Sequence, residues 1–304
     1  MKVVLAGAFG KLGSDILIEL CKAGHEVIAA DMVEKKVPGT EGKYTFVKID
    51  ATDPATLRGL CDNADIVMTT MGLTGSSTRF TNYDIDYQGN LNLLNEAVAG
   101  KAKHFVYISV IKADSDPTVP MIDAKAKFEL KLKESGLTYL IFRPTGYFYD
   151  IAKVFWPMVT KGEVTLLGKK NFRCNVVDCP DFAAFIVQHM EDKNQTYSIG
   201  GTETYTYEEI AKLFFEAAEK PPVIKRAPVF LFSLLARAAK KKKNGKEAAK
   251  KKKNGKEAVI RFSKWTLTHD LVGDTIVPGK SFSEYIKGKT YLAVMNEQRL
   301  GESK

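Results

Sequence analysis

Seven residues near the start of the chain, Gly7-Ala-Phe-Gly10-Lys-Leu-Gly13, constrain the fold more than any other stretch. They follow a short apolar run at residues 2–6 (KVVLA). They lead into a helical pattern at 11–23, with Leu12, Ile16 and Leu20 on one face. Glycines at this spacing permit a tight turn. They also let backbone N–H groups approach paired phosphates at the positive end of the helix. A glycine motif alone is weak, and a plain Gly-rich turn is the simpler reading. The strand before it and the helix after it are what make it a dinucleotide-binding signature.

The rest of the first half repeats the strand–helix rhythm. Further strands are expected at 26–30, 44–49, 64–69, 104–109 and 138–143, and helices at 55–61, 83–99 and 119–136. Short turns between alternating strands and helices predict a parallel sheet covered on both faces. After Pro144 the rhythm changes. Strands are expected at 163–167, 172–177 and 196–199, and a helix at 179–190. A capping-box pattern, Thr206-Tyr-Glu-Glu209, opens another helix that runs to about residue 218. The expected architecture is an α/β Rossmann-type doubly wound parallel sheet with a smaller C-terminal α/β substrate lobe. The dinucleotide-binding domain takes residues 1–145, with its sheet open to completion by later segments. Residues 146–304 form the lobe over the carboxyl ends of the strands.

Composition sets the remaining bounds. The formal charge of +9 arises almost wholly from residues 238–257, where AAKKKKNGKE occurs twice in tandem and contributes +8. The body of the protein is therefore nearly neutral and gives no sign of a nucleic-acid binder. The dense lysines and the Asn-Gly steps of the insert predict a loop or a frayed, interrupted helix. The apolar segment before it (PVFLFSLLARAA, with Phe230, Phe232, Leu234 and Leu235) is expected to cover the substrate cleft, with the lysines as a solvated loop. The alternative is weak contact with an anionic membrane through 229–257. Cys21, Cys61, Cys174 and Cys179 show no paired spacing and no accompanying histidines, so free thiols are expected and no metal site. The first strand begins at Lys2 and no apolar run reaches the ~18 residues of a membrane span, so the expected location is cytoplasmic. Oligomeric state and substrate are not legible.

Asp31 ends the second expected strand. A carboxylate there accepts hydrogen bonds from adenosine ribose hydroxyls and repels a 2′-phosphate, which favours NAD over NADP. Lys35-Lys36 is the opposing signal. Asp50, in KIDATD, ends the third strand and suits either the adenine edge or a simple turn.

Taken together, the opening glycines, KIDATD, DYQGNLNLLNEA, HFVYISV, AKAKFELKLKESGLTYLIFRPTGYF and YSIGGTETYTYEEIAKL resemble the atypical short-chain dehydrogenase/reductases, in particular the NmrA-like and divinyl-reductase-like members. The resemblance covers most of the chain outside the lysine insert. It implies one bound nicotinamide dinucleotide, NAD or NADP. By position, Gly7, Gly10 and Gly13 would hold the pyrophosphate, Asp31 the adenosine ribose, and Asp50 would lie near adenine. Met71 and Gly72 would line the middle of the cofactor, and Pro144 and Tyr147 would flank the nicotinamide. Ser109 and Lys125 stand where the superfamily has its catalytic serine and the lysine that bonds the nicotinamide ribose.

The departure is Met121, four residues before Lys125. The full set has tyrosine there, on the same helix face, with its phenol acidified by the lysine. A thioether cannot exchange a proton. Two outcomes follow: a reductase whose proton comes from Lys125 or another tyrosine (Tyr147 or Tyr149), or a non-catalytic dinucleotide sensor or scaffold.

Overall fold

The computed structural model describes residues 1–73, 75, 77, 79–230 and 247–287. In chain order its strands are β1 (Lys2–Ala6), β2 (Glu26–Asp31), β3 (Tyr44–Lys48), β4 (Ile66–Thr69), β5 (His104–Ile108) and β6 (Thr138–Pro144). The later strands are β7 (Val164–Leu167), β8 (Arg173–Cys174), β9 (Gln195–Gly200), β10 (Tyr205–Thr206), β11 (Ile224–Ala227) and β12 (Thr275–Ile276). The helices are α1 (Lys11–Lys22), α2 (Asn90–Ala99), α3 (Pro120–Glu134), α4 (Phe148–Thr160), α5 (Cys179–His189), α6 (Tyr207–Ala217), α7 (Glu247–Thr266) and α8 (Phe282–Lys287).

Eight strands form one sheet in the order β12-β9-β6-β5-β4-β1-β2-β3, and every pairing is parallel. Each residue of β4 and β5 is buried, as expected for central strands covered on both faces. On one face α1 and α5 pack over the sheet through Ile16, Leu17, Leu20, Phe182 and Ile186. On the other, α2 and α3 contribute Leu93, Leu94, Phe128 and Leu132. The chain turns one way from β1 to β2 and the other way to β4. This reversal opens a crevice at the carboxyl ends of β1 and β4, the usual ligand position in such sheets.

The second half of the chain does two things. Strands β9 and β12 extend the central sheet, so residues after 145 complete it. The remaining segments build a lobe around Phe155, Trp156, Phe214, Trp265 and Phe282. The buried Asn175 joins the two parts. Its side chain both donates to the Gly273 carbonyl and accepts from the Gly273 amide, each at 2.9 Å. The capping box at α6 forms as the sequence implies, with Thr206 and Glu209 satisfying each other's backbone amides.

Four local expectations change. Residues 55–61 hold only a short 3₁₀ turn, Pro54–Leu57, after an Asp53 cap. The helix expected at 83–99 opens as a π-helical segment, Tyr83–Gly89, before α2 begins. The 172–177 strand shrinks to β8. Asn254-Gly255 does not interrupt a helix but lies inside α7, because Phe262 and Trp265 of that helix pack into the lobe and tertiary contact outweighs local propensity. Phe232, Leu234, Leu235 and most of the first lysine repeat lie outside the described residues.

One close contact fixes the start of α1. A Cβ on Gly13 would sit 2.0 Å from the Gly7 carbonyl oxygen. Gly13→Ala is therefore expected to cost about 2 kcal/mol or more, read as a lower midpoint in urea unfolding. A variant as stable as the parent would show that the turn can relax.

Candidate functional site

The site begins with the turn between β1 and α1. Gly7 has φ +78°, and a Cβ there would lie 2.7 Å from Thr70 Oγ1. Its amide donates to the Ala30 carbonyl at the end of β2, and Thr70 Oγ1 donates to the Gly7 carbonyl at 3.0 Å. Gly10 caps α1 with no side chain, and the first turn of the helix carries no acid. The first-turn amides thus face the crevice without a side-chain partner, in the positive field of the helix end. This cradle fits an anionic diphosphate. Asp31 sits beside it: Oδ2 accepts from the Phe9 amide at 2.9 Å and Oδ1 from the Met32 amide at 2.7 Å. Asp50 is held by Thr52 and by Arg79, whose Nη2 lies 2.8 Å from Oδ2. Hydrogen bonding from the Thr52 hydroxyl, with the Arg79 charge adding to it, lowers its pKa below the usual carboxylate range.

Further along the crevice, Lys125 is buried, with 8% of its surface exposed. Its ammonium is surrounded by the Ile108 carbonyl at 3.1 Å, Asp86 Oδ1 at 3.3 Å and the Tyr107 hydroxyl at 3.4 Å. The carbonyl and the hydroxyl accept from the ammonium, and Asp86 is its ion-pair partner. Asp86 is fully buried, and its other oxygen accepts from Asn82 Nδ2 and the Leu73 amide. The π-helical segment makes this possible: the extra residue in its turn changes which side chains point inward. Asn90 fills the widened turn by donating to the Ile85 and Asp86 carbonyls and to that of Met71. Gly72 closes the front. A Cβ there would lie 2.9 Å from Asp86 Oδ1 and 3.4 Å from Lys125 Nζ.

Ser109 is 5% exposed and donates its hydroxyl proton to Glu129 Oε1 at 2.5 Å. Glu129, one helical turn after Lys125, is gripped in turn by Arg143 at 2.6 and 3.0 Å. Ser109 therefore offers only lone pairs to anything else. Met121 is half-buried and packs into none of the three apolar cores.

Beyond Pro144 the chain bends at Gly146, and Tyr147 pairs with Val177. Tyr147 and Tyr149 stack with ring centres 5.7 Å apart. Burial pushes both phenols well above their ordinary pKa. The same cause raises Asp150 to about 6, against the opposing charge of Lys153. On α1, Asp15 is also raised to about 6, mainly by burial and against the pull of Lys11. Among the described residues no cluster of His, Cys, Asp and Glu could hold a metal ion.

The structure sets Gly7 against Gly10, Gly13 and Met71, puts Asp31 on the Phe9 amide of the same turn, and places Gly72 against Lys125, whose ammonium bonds the carbonyl of Ile108 next to Ser109. Sequence reasoning missed Asp86, Glu129, Arg143 and Tyr107. Glu129 was findable from its i,i+4 spacing to Lys125, whereas nothing local marks Asp86 as inward-facing.

Fold and crevice together define a Rossmann-type dinucleotide-binding protein. Residues 7–193 match the NAD(P)H-binding family, and the chain belongs to it, as an atypical short-chain dehydrogenase/reductase. Photosystem II assembly factor Ycf39 of Trieres chinensis is 24% identical over 249 residues, 78% of this chain and 75% of that one. The chloroplastic divinyl chlorophyllide a 8-vinyl-reductase of Arabidopsis thaliana is 28% identical over 276 residues, 79% of this chain and 64% of that one. The NADPH-dependent quinone oxidoreductase QOR2 of Escherichia coli, solved with NADPH, aligns with a TM-score of 0.67 at 18% identity, covering 94% of this chain and 99% of that one. No helix among the described residues is long and apolar enough to cross a membrane.

The raised carboxyls predict a pH dependence of stability. A carboxyl with a folded-state pKa near 6 stabilises the fold below its ordinary value of 3.8, and that contribution is lost as pH rises through 6. Asp150→Asn and Asp15→Asn should each reduce the fall in thermal midpoint between pH 5 and pH 7.5. An unaltered fall in both would mean that these carboxyls ionise without penalty.

Proposed function

We propose that this chain is an NAD(P)H-dependent reductase whose acceptor spreads the incoming charge over a conjugated system, such as a polarised carbon–carbon double bond or a quinone. The uncapped amino end of α1 beside Asp31 carries the reading, because its amides lie open at the switch point of the sheet. In this reading Gly7, Gly10 and Gly13 admit the diphosphate, Gly72 lines its path, and Lys125 meets the nicotinamide ribose. Pro144 and Tyr147 border the ring. A bound nicotinamide would supply the hydride; the protein's residues orient the partners and exclude water.

The choice of acceptor follows from the missing acid. Met121 has no proton to give, and the Ser109 proton is committed to Glu129. An isolated ketone develops a localised oxyanion and needs a positioned donor. A conjugated acceptor delocalises that charge and can take its proton from solvent. The vinyl-reductase and quinone-oxidoreductase relatives support this reading. A second reading, a dinucleotide-binding scaffold without turnover, draws on the same lack of a donor and on the assembly-factor relative.

The test separates the two. NADH fluorescence should shift on binding in either case, but only a reductase consumes NADH with menadione or a conjugated enone as acceptor. Lys125→Ala should lower that turnover at least about 100-fold while changing the NADH dissociation constant far less. Unchanged turnover would remove Lys125 from its role.

Asp31 carries the preference for NAD(H) over NADP(H), since a carboxylate at the end of β2 repels a 2′-phosphate. Titration should give tighter NADH than NADPH binding, and Asp31→Ala should narrow the gap. Equal affinities in the unaltered protein would contradict the assignment.

A further inference from the structure

The Asp86–Lys125 pair is more deeply buried than a positioning lysine needs. Asp86 has no exposed surface, and its Oδ1 accepts no hydrogen bond; what faces it is the charge of the Lys125 ammonium, 3.3 Å away. The pair spans two elements: Asp86 comes from the π-helical segment and Lys125 from α3. Asn82, the Leu73 amide and Asn90 lock the acid's side, while Ile108 and Tyr107 lock the lysine's. Gly72, on the segment that leaves β4, has no room for a Cβ against the Asp86 carboxylate, 2.9 Å away. The pair therefore forms the wall of the crevice behind that segment.

A lone ammonium in such a wall would act on whatever lies in front of it, because buried charges are poorly screened. The two redox forms of a nicotinamide differ in this respect: the oxidised ring is cationic and the reduced ring neutral. We propose that Asp86 is a positioning and charge-balancing residue that cancels the Lys125 ammonium, so that the crevice holds oxidised and reduced dinucleotide without electrostatic bias against the oxidised form. The proposal rests on the reading that Lys125 meets the nicotinamide ribose. It goes beyond that reading by assigning the release of oxidised cofactor to a residue that does not touch it.

The experiment measures the ratio of NAD⁺ to NADH dissociation constants by isothermal titration, on the full chain. Asp86→Asn leaves the ammonium uncompensated and should raise the ratio by about threefold or more, since oxidised cofactor is repelled. The double variant Asp86→Asn/Lys125→Met is neutral again and should return the ratio to that of the unaltered protein. A purely structural pair would weaken both forms alike and leave the ratio fixed, which overturns the proposal. Should Asp86→Asn not fold, Lys125→Met alone carries the test: the uncompensated acid must lower the ratio, and an unchanged ratio again overturns it. If the unaltered protein binds neither form, it is the dinucleotide reading that fails.

Discussion

The contact between Gly13 and the carbonyl of Gly7 sets the geometry on which the rest of the site depends. With no Cβ between them, α1 begins directly against the turn that leaves β1. That closeness keeps its amino end at the mouth of the crevice rather than a turn further out. Asp31 then bonds the Phe9 amide and Thr70 bonds the Gly7 carbonyl, so the ends of β1, β2 and β4 are joined through one loop. A rigid anion cradle results from backbone groups alone. It leaves side-chain chemistry to the strands further along the sheet.

The first half of the fold and the start of α6 were legible because their signals are local. Glycines between an apolar run and an amphipathic pattern, repeated strand–helix alternation, and the Thr206–Glu209 box each report on a few neighbouring residues. Outside the 55–61 and 83–89 segments the structure follows them within a residue or two. What the sequence hid depends on distant contacts. The π-helical segment looks like ordinary helix in the letters DYQGNLNLLNEA. It exists because Asn90 reaches across to the Met71 carbonyl and Thr69 to Asn90, contacts spanning about twenty residues. Likewise the Asn-Gly step at 254–255 carries a strong turn signal, which packing of α7 against the lobe outweighs.

The candidate site shows the same division. Lys125 and Ser109 were placed by the family resemblance, and the structure sets Ser109 just after β5 with the Lys125 ammonium on the Ile108 carbonyl that ends it. Of their partners only Glu129 left a local trace, its spacing on α3 from Lys125. Ser109 donates to Glu129, which Arg143 holds in place, so a residue that stands in the catalytic position has its hydroxyl turned into the protein. A phenol also stands near Lys125 after all, that of Tyr107, but it arrives from β5 and not from α3. Burial raises its pKa well above the ordinary phenol value, with the Asp86 charge adding to the effect. A lysine beside a phenol is thus not enough to make an acid. In the arrangement that Met121 interrupts, the phenol must face the substrate, and here it faces the core.

Stability does not account for an ion pair as deep as Asp86–Lys125. Exchanging two buried charges for apolar residues of the same volume is often neutral or favourable, because desolvation offsets most of their attraction. Losing one member costs far more, about 3–5 kcal/mol, because the other is left unpaired. The pair is therefore held in place by mutual dependence and not by net gain. Asn82 bonds the carboxylate of Asp86, and Asn90 holds the widened turn that carries it, so ordered polar groups keep that carboxylate beside the ammonium. So much supporting structure, placed directly against Gly72, is what a site needs when the sign of its local charge matters. A nicotinamide, whose ring gains and loses a positive charge in each cycle, is a ligand for which it does.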